Sequence, residues 1–190
     1  MNANAFVAQL RATTRRLQRT VETELLPLSD AALNHKPSAS AWSVLECLEH
    51  LNRYSRYYHP VLTRAVARQE SVATSAQVRY SWLGRKSLAI VRPDNGRRHK
   101  TVRHMNPAGS QLSRAGLEEF RQHLKELLGL LDAAPHTDLN RKAVPVEFFR
   151  LLKLRTGEAL EFVVLHAERH VQQAVRASQS VHAPAPLLSV

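Results

Sequence analysis

Four stretches of this chain repeat apolar residues at intervals of three and four, and none shows sustained strand alternation. That periodicity restricts the fold to amphipathic helices packed on one another. The first helix is expected over about residues 5–25, with Phe6, Leu10, Leu17, Val21 and Leu25 on one face. The second covers about 42–68, after the turn-rich stretch PLSDAALNHKPSAS. The third opens at Ser113, carries Glu118 and Glu119 where the helix dipole favours acids, and turns Leu117, Phe120, Leu124, Leu127, Leu128 and Leu131 inward. The fourth follows Thr156, read as an N-cap, and runs to about Ser178. The expected fold is an all-α four-helix bundle over residues 1–180.

The connections are long enough to need structure of their own. Between the second and third helices, YSWLGRKSLAIV is expected to form a short helix that flanks the bundle. Between the third and fourth, VEFFRLLKL is apolar enough to be read as another. The proline-interrupted tail, residues 181–190, is expected to be extended or disordered.

Composition narrows the function. With 44% apolar residues in a chain of 190, no uncharged run of membrane-spanning length and no apolar leader, a single soluble, cytoplasmic domain is expected. The single cysteine, Cys47, rules out an intramolecular disulfide framework and any multi-cysteine zinc site, so a bound metal must be held by nitrogen and oxygen. The formal charge of +11 is mostly local. Between Ala76 and His104, eight basic residues face one acid, Asp94. This segment, 79–103, reads first as a solvated face; the alternative function is an anion- or nucleic-acid-associated protein that uses it as a working surface. It contains no recognised nucleic-acid motif, and no specific nucleic acid or membrane partner is expected.

Two histidines interrupt the fourth helix's apolar stripe. In VLHAERHVQQAV, His166 and His170 stand four apart and project side by side, in line with Phe162, Val163, Ala174 and Ala177. Buried imidazoles need a hydrogen-bond partner, a proton or a metal. The second helix offers a third in WSVLECLEHL, where His50 follows Glu46 by four and Cys47 by three, on one side with Tyr54 and Tyr57. His59 lies about half a turn away and is not expected to join them.

The pattern W-S-x-x-E-x-L-x-H-L, carried by Trp42, Ser43, Glu46, Leu48, His50 and Leu51, is followed by H-x-x-R-H-x-x-Q, carried by His166, Arg169, His170 and Gln173. Together, and with the intervening WLGRKSLAIVRP and NPAGS, these resemble the DinB-like (YfiT-type) superfamily over nearly the whole chain. The resemblance implies an up-down-down-up four-helix bundle in which His50, His166 and His170 hold a divalent ion, Zn2+ or Ni2+ first and Fe2+ or Mn2+ as alternatives. Three imidazoles leave positions open for water or substrate, as in catalytic sites; on zinc, such a water has a pKa near ~7. Some relatives are thought to activate a low-molecular-weight thiol instead. The implied activity is therefore a hydrolase or a thiol-dependent S-transferase acting on a small molecule.

Other roles are open at this level. Glu46 can orient His50, contact a metal-held water or serve as general base, or be only a helical neighbour. Cys47 reads as a buried, inert thiol. Tyr54 and Tyr57 can place hydroxyls over the pocket or simply pack. Arg169 points away from the histidine face, and Gln173 can bond His170 from outside. Leu26 and Leu130, beyond the inward stripes, suggest a homodimer, which the resemblance also implies.

Overall fold

The computed structural model describes residues 1–68, 77–96, 100–110 and 112–180. Among the described residues, six α-helices and one β-hairpin are accompanied by a π-helical turn and two 3-10 turns. Helix α1 (Ala3–Thr20) is capped by Asn2, whose side chain accepts from the Ala5 N–H at 2.8 Å. It runs into a π-helical turn, Val21–Leu25, that keeps Val21 and Leu25 fully buried. A short helix, α2 (Asp30–Asn34), capped by Ser29, lies in the connection read from sequence as turn-rich. Helix α3 (Val44–Val66) opens with a reciprocal cap: Ser43 Oγ accepts from the Glu46 N–H at 3.1 Å, and Glu46 Oε2 accepts from the Ser43 N–H at 2.9 Å.

Helix α4 (Trp82–Val91) is the expected flanking helix, and it packs on α6 (Thr156–Gln179). Helix α5 (Ala115–Ala133) starts two residues later than Ser113. Arg114 holds the place before it by donating to the carbonyls of Leu26 and Leu28. Thr156 is the first helical residue of α6 rather than its cap. That place is taken by Arg155, whose N–H donates to Glu158 Oε2 at 2.8 Å, while the Thr156 N–H donates to the Arg141 carbonyl.

The stretch VEFFRLLKL is not a helix. It belongs to an antiparallel hairpin of β1 (Lys142–Val146) and β2 (Phe149–Arg155). Val144, Val146 and Leu154 turn into the core, and Pro145 cannot donate in a helical ladder. Phe148, Phe149, Leu151 and Leu152 stay exposed, so their apolar character reports no buried face. A helix there would have required one.

The four long helices pack in a closed set of neighbours: α3 against α5 and α6, and α1 against both of the same two. Their apolar faces form two clusters. On α3 the second cluster ends at Leu51 and the first begins at Tyr58; on α6 the first ends at Val164 and the second begins at Ala167. Buried polar residues occupy this junction, His50, Asn52 and Ser55 on α3 and His166 on α6. Leu130 is 7% exposed and belongs to the first cluster, and Leu26 packs against the second. Neither leucine is a spare surface residue; Leu128, expected inside, is half-buried. Among the described residues, no helix is long and apolar enough to cross a membrane. The expected tail, residues 181–190, lies outside the described residues, as do Arg97, Arg98 and His99 of the basic segment.

Candidate metal centre

His50 sits two turns into α3, and His166 and His170 face it from the middle of α6, the pair of helices with the most extensive mutual packing. The three rings gather at centroid separations of 4.6 to 5.0 Å, with interplanar angles of 66° to 83°. One nitrogen from each lies within 4.8 Å of the others, a group that could hold a metal ion. His50 Nε2 and His166 Nε2 are 3.1 Å apart. Two ligands at ~2.0–2.1 Å from a common ion sit about that far from each other.

The outer nitrogens decide which atoms face inward. His50 Nδ1 lies 2.8 Å from the Met105 carbonyl oxygen, so it donates, which leaves the Nε2 lone pair toward His166. His170 Nδ1 lies 3.0 Å from Gln173 Oε1 and is fixed in the same way. Met105 arrives on a short 3-10 turn, Arg103–Met105, and Arg53 clamps that turn by donating to the carbonyls of His104 and Asn106. No side-chain pattern marks a backbone acceptor, so sequence reading missed Met105. Gln173 was legible because it stands three residues beyond His170.

Burial holds all three rings neutral. The His50 pKa is pushed down to about 4 and that of His170 to about 3, in each case chiefly by loss of solvent, and His166 falls well below the ordinary value for the same reason. Neutral imidazole is the form that binds metal. Without metal, the same shifts make stability depend on pH. The unfolded chain takes up protons near pH 6.5 and the folded chain resists them, so stability is complete above ~6.5 and falls as the pH drops toward about 4. Urea denaturation of metal-free protein at pH 7.5 and pH 5 should differ by on the order of a few kcal/mol. The difference should shrink when His50, His166 and His170 are together replaced by glutamine.

Aromatic rings wall the cluster. Trp42 lies 4.9 Å from His50 and 5.7 Å from His170, Tyr54 lies 4.5 Å from His166 and 5.0 Å from His50, and Phe162 lies 5.5 Å from His166, centroid to centroid. Of the two tyrosines expected near the pocket, only Tyr54 is beside the imidazoles. The Tyr57 hydroxyl instead donates to the Pro145 carbonyl on the hairpin. Cys47 is fully buried, and burial pushes its thiol up to about 12, which keeps it protonated and inert. Arg169 donates to the carbonyls of Arg92 and Asn95 beyond α4. The Glu46 carboxylate is held by the Ser43 N–H, the Gly109 N–H and Lys36 Nζ.

A curated relative is 27% identical over 150 residues, covering 79% of this chain and 85% of the relative, which is an uncharacterized protein, YuaE, of Bacillus subtilis (strain 168). No solved structure matches. The family model for the DinB superfamily matches residues 9–174, a span that begins in α1 and holds all three clustered histidines, Glu46 and Gln173. The chain belongs to the DinB superfamily.

Proposed function

We propose that this protein is a metal-dependent enzyme acting on a small molecule, with one divalent ion held by His50, His166 and His170. In this reading, the four long helices form an up-down-down-up bundle of the DinB type. The observation that carries it is the facing of His50 Nε2 and His166 Nε2 at 3.1 Å, with the outer nitrogens of His50 and His170 tied to acceptors. A bound ion, zinc or nickel before iron or manganese, would supply Lewis acidity that lowers the pKa of a water or a small thiol. The reaction class is hydrolysis or thiol-dependent S-transfer.

The chain's own residues do the positioning. Met105 and Gln173 fix the ring orientations, and Trp42, Tyr54 and Phe162 exclude bulk water from one side of the cluster. Burial pushes the Tyr54 hydroxyl up to about 12, so at neutral pH it keeps its proton and can donate a hydrogen bond to a substrate oxygen. Glu46 serves as a positioning residue: its carboxylate closes the cap of the helix that carries His50 and ties it to Lys36 and Gly109. Acting as a general base would require it to leave these partners.

Purified protein should be assayed for hydrolysis of p-nitrophenyl esters and for conjugation of small thiols to an aromatic chloride, before and after chelation. One activity is expected to disappear on chelation, return with added metal and be absent in His166→Ala. Activity indifferent to chelation, or neither activity in metal-loaded protein, would count against the reading.

A further inference from the structure

A second cluster lies on the seam between α3 and α5, around the corner from the three histidines. His59 points from α3, and His123 and Glu126 point from α5. Glu126 Oε2 is 3.1 Å from His59 Nδ1 and 3.2 Å from His123 Nδ1, and the ligand atoms of the three residues all lie within 4.8 Å of one another. The two rings stand at 88° with centroids 5.1 Å apart. One oxygen between two ring nitrogens at these separations matches three ligands on one face of an ion with bonds of ~2.0–2.2 Å.

The surroundings also fit an ion. His59 is 6% exposed, and burial lowers its pKa below the ordinary value, so it is a neutral imidazole. On the far side of His123, Nε2 meets Glu119 Oε1 at 3.2 Å. If Nε2 donates there, the Nδ1 lone pair is left toward Glu126, as in the carboxylate–histidine–metal arrangement. Glu119 is held in turn by Arg56, which bonds both of its oxygens. A single cation satisfies both rings and the carboxylate at once. The cluster lines a groove of about 580 Å3, shared with Thr63, Gly129 and Ala133, which leaves a side open to solvent ligands. His59 Nε2 is buried with no hydrogen-bond partner among the described residues. A neighbouring cavity of about 10 Å3 touches His59 and His123 and is otherwise walled mostly by apolar side chains.

We propose that His59, His123 and Glu126 form a second divalent-metal site, a two-histidine, one-carboxylate set suited to zinc or cobalt, separate from the centre at His50, His166 and His170. It does not depend on the first site, since no ligand is shared.

Full-length protein stripped of metal should be titrated with zinc by equilibrium dialysis at micromolar free ion. The parent is expected to take up two equivalents, His166→Ala one, His123→Ala one, and the double variant none. Glu126→Gln, nearly isosteric and half-exposed, keeps α5 intact and should weaken the second equivalent at least tenfold. In the His166→Ala background, cobalt should give a visible ligand-field spectrum that Glu126→Gln abolishes. A parent that binds one equivalent, lost in His166→Ala and kept in His123→Ala, overturns the second site and leaves the first. One equivalent lost in His123→Ala alone does the reverse. Two equivalents that survive both His123→Ala and Glu126→Gln also overturn it.

Discussion

Replacing His166 by alanine should weaken metal binding at the α3–α6 centre by roughly 100-fold or more, while far-UV circular dichroism stays that of the parent. His166 packs against both other rings, with its Nε2 3.1 Å from that of His50 and its centroid 4.8 Å from His170. Removing it leaves two ligands, and a site of two imidazoles cannot hold a divalent ion against water with comparable strength. The helices keep their apolar packing, because Val163, Val164, Ala167 and Val171 surround the position on α6. Gln173→Leu should have a milder effect, ~10-fold to 100-fold, since it frees a ring without removing it. The equivalent change at His50 cannot be made with a side chain, because its acceptor is the Met105 carbonyl.

The largest loss of stability outside the apolar core is expected at Glu158. Its side chain is 1% exposed and sits at the start of α6, where its carboxylate accepts from the Arg155 N–H, the Ser81 N–H and the Ser81 hydroxyl. One group therefore caps α6 and fastens the start of α4 to it. Glu158→Ala leaves two backbone donors without their acceptor and opens a void, at a cost of ~2–4 kcal/mol in urea denaturation. Gly84→Ala should act in the same direction by ~1–3 kcal/mol. A Cβ at Gly84 would fall inside the Glu158 carboxyl group, which its three hydrogen bonds prevent from moving aside. Glu22→Ala, on an exposed face, is the control and should change stability by less than ~0.5 kcal/mol.

The long helices were legible because each must bury one stripe, and burial at a period of 3.6 writes itself into the sequence. Phe6, Leu10, Leu17, Val21 and Leu25 all proved buried. The hairpin was not legible, because Phe148, Phe149, Leu151 and Leu152 are apolar without being inside, and strand pairing depends on a partner rather than on local period. The clustering of His50, His166 and His170 could be read from spacing and resemblance together. Met105 could not, being a main-chain acceptor. His59 with His123 and Glu126 escaped because no motif of the resemblance marks the set, and nine residues of rotation put His59 on the opposite side of α3 from His50. Leu130 looked surplus because it lies outside the stripe read for the third helix, yet it belongs to the first apolar cluster.

Histidine ring nitrogens report metal binding directly. A long-range proton–nitrogen correlation spectrum recorded during zinc titration of the metal-free protein resolves each imidazole's tautomer and the nitrogen that meets the ion. The Nε2 resonances of His50, His166 and His170 should move together to the metal-bound range within one equivalent, while Nδ1 of His50 and of His170 stay protonated. If those three Nε2 resonances hold their positions at saturating zinc in folded protein, the three histidines are buried core residues and the metal centre does not exist.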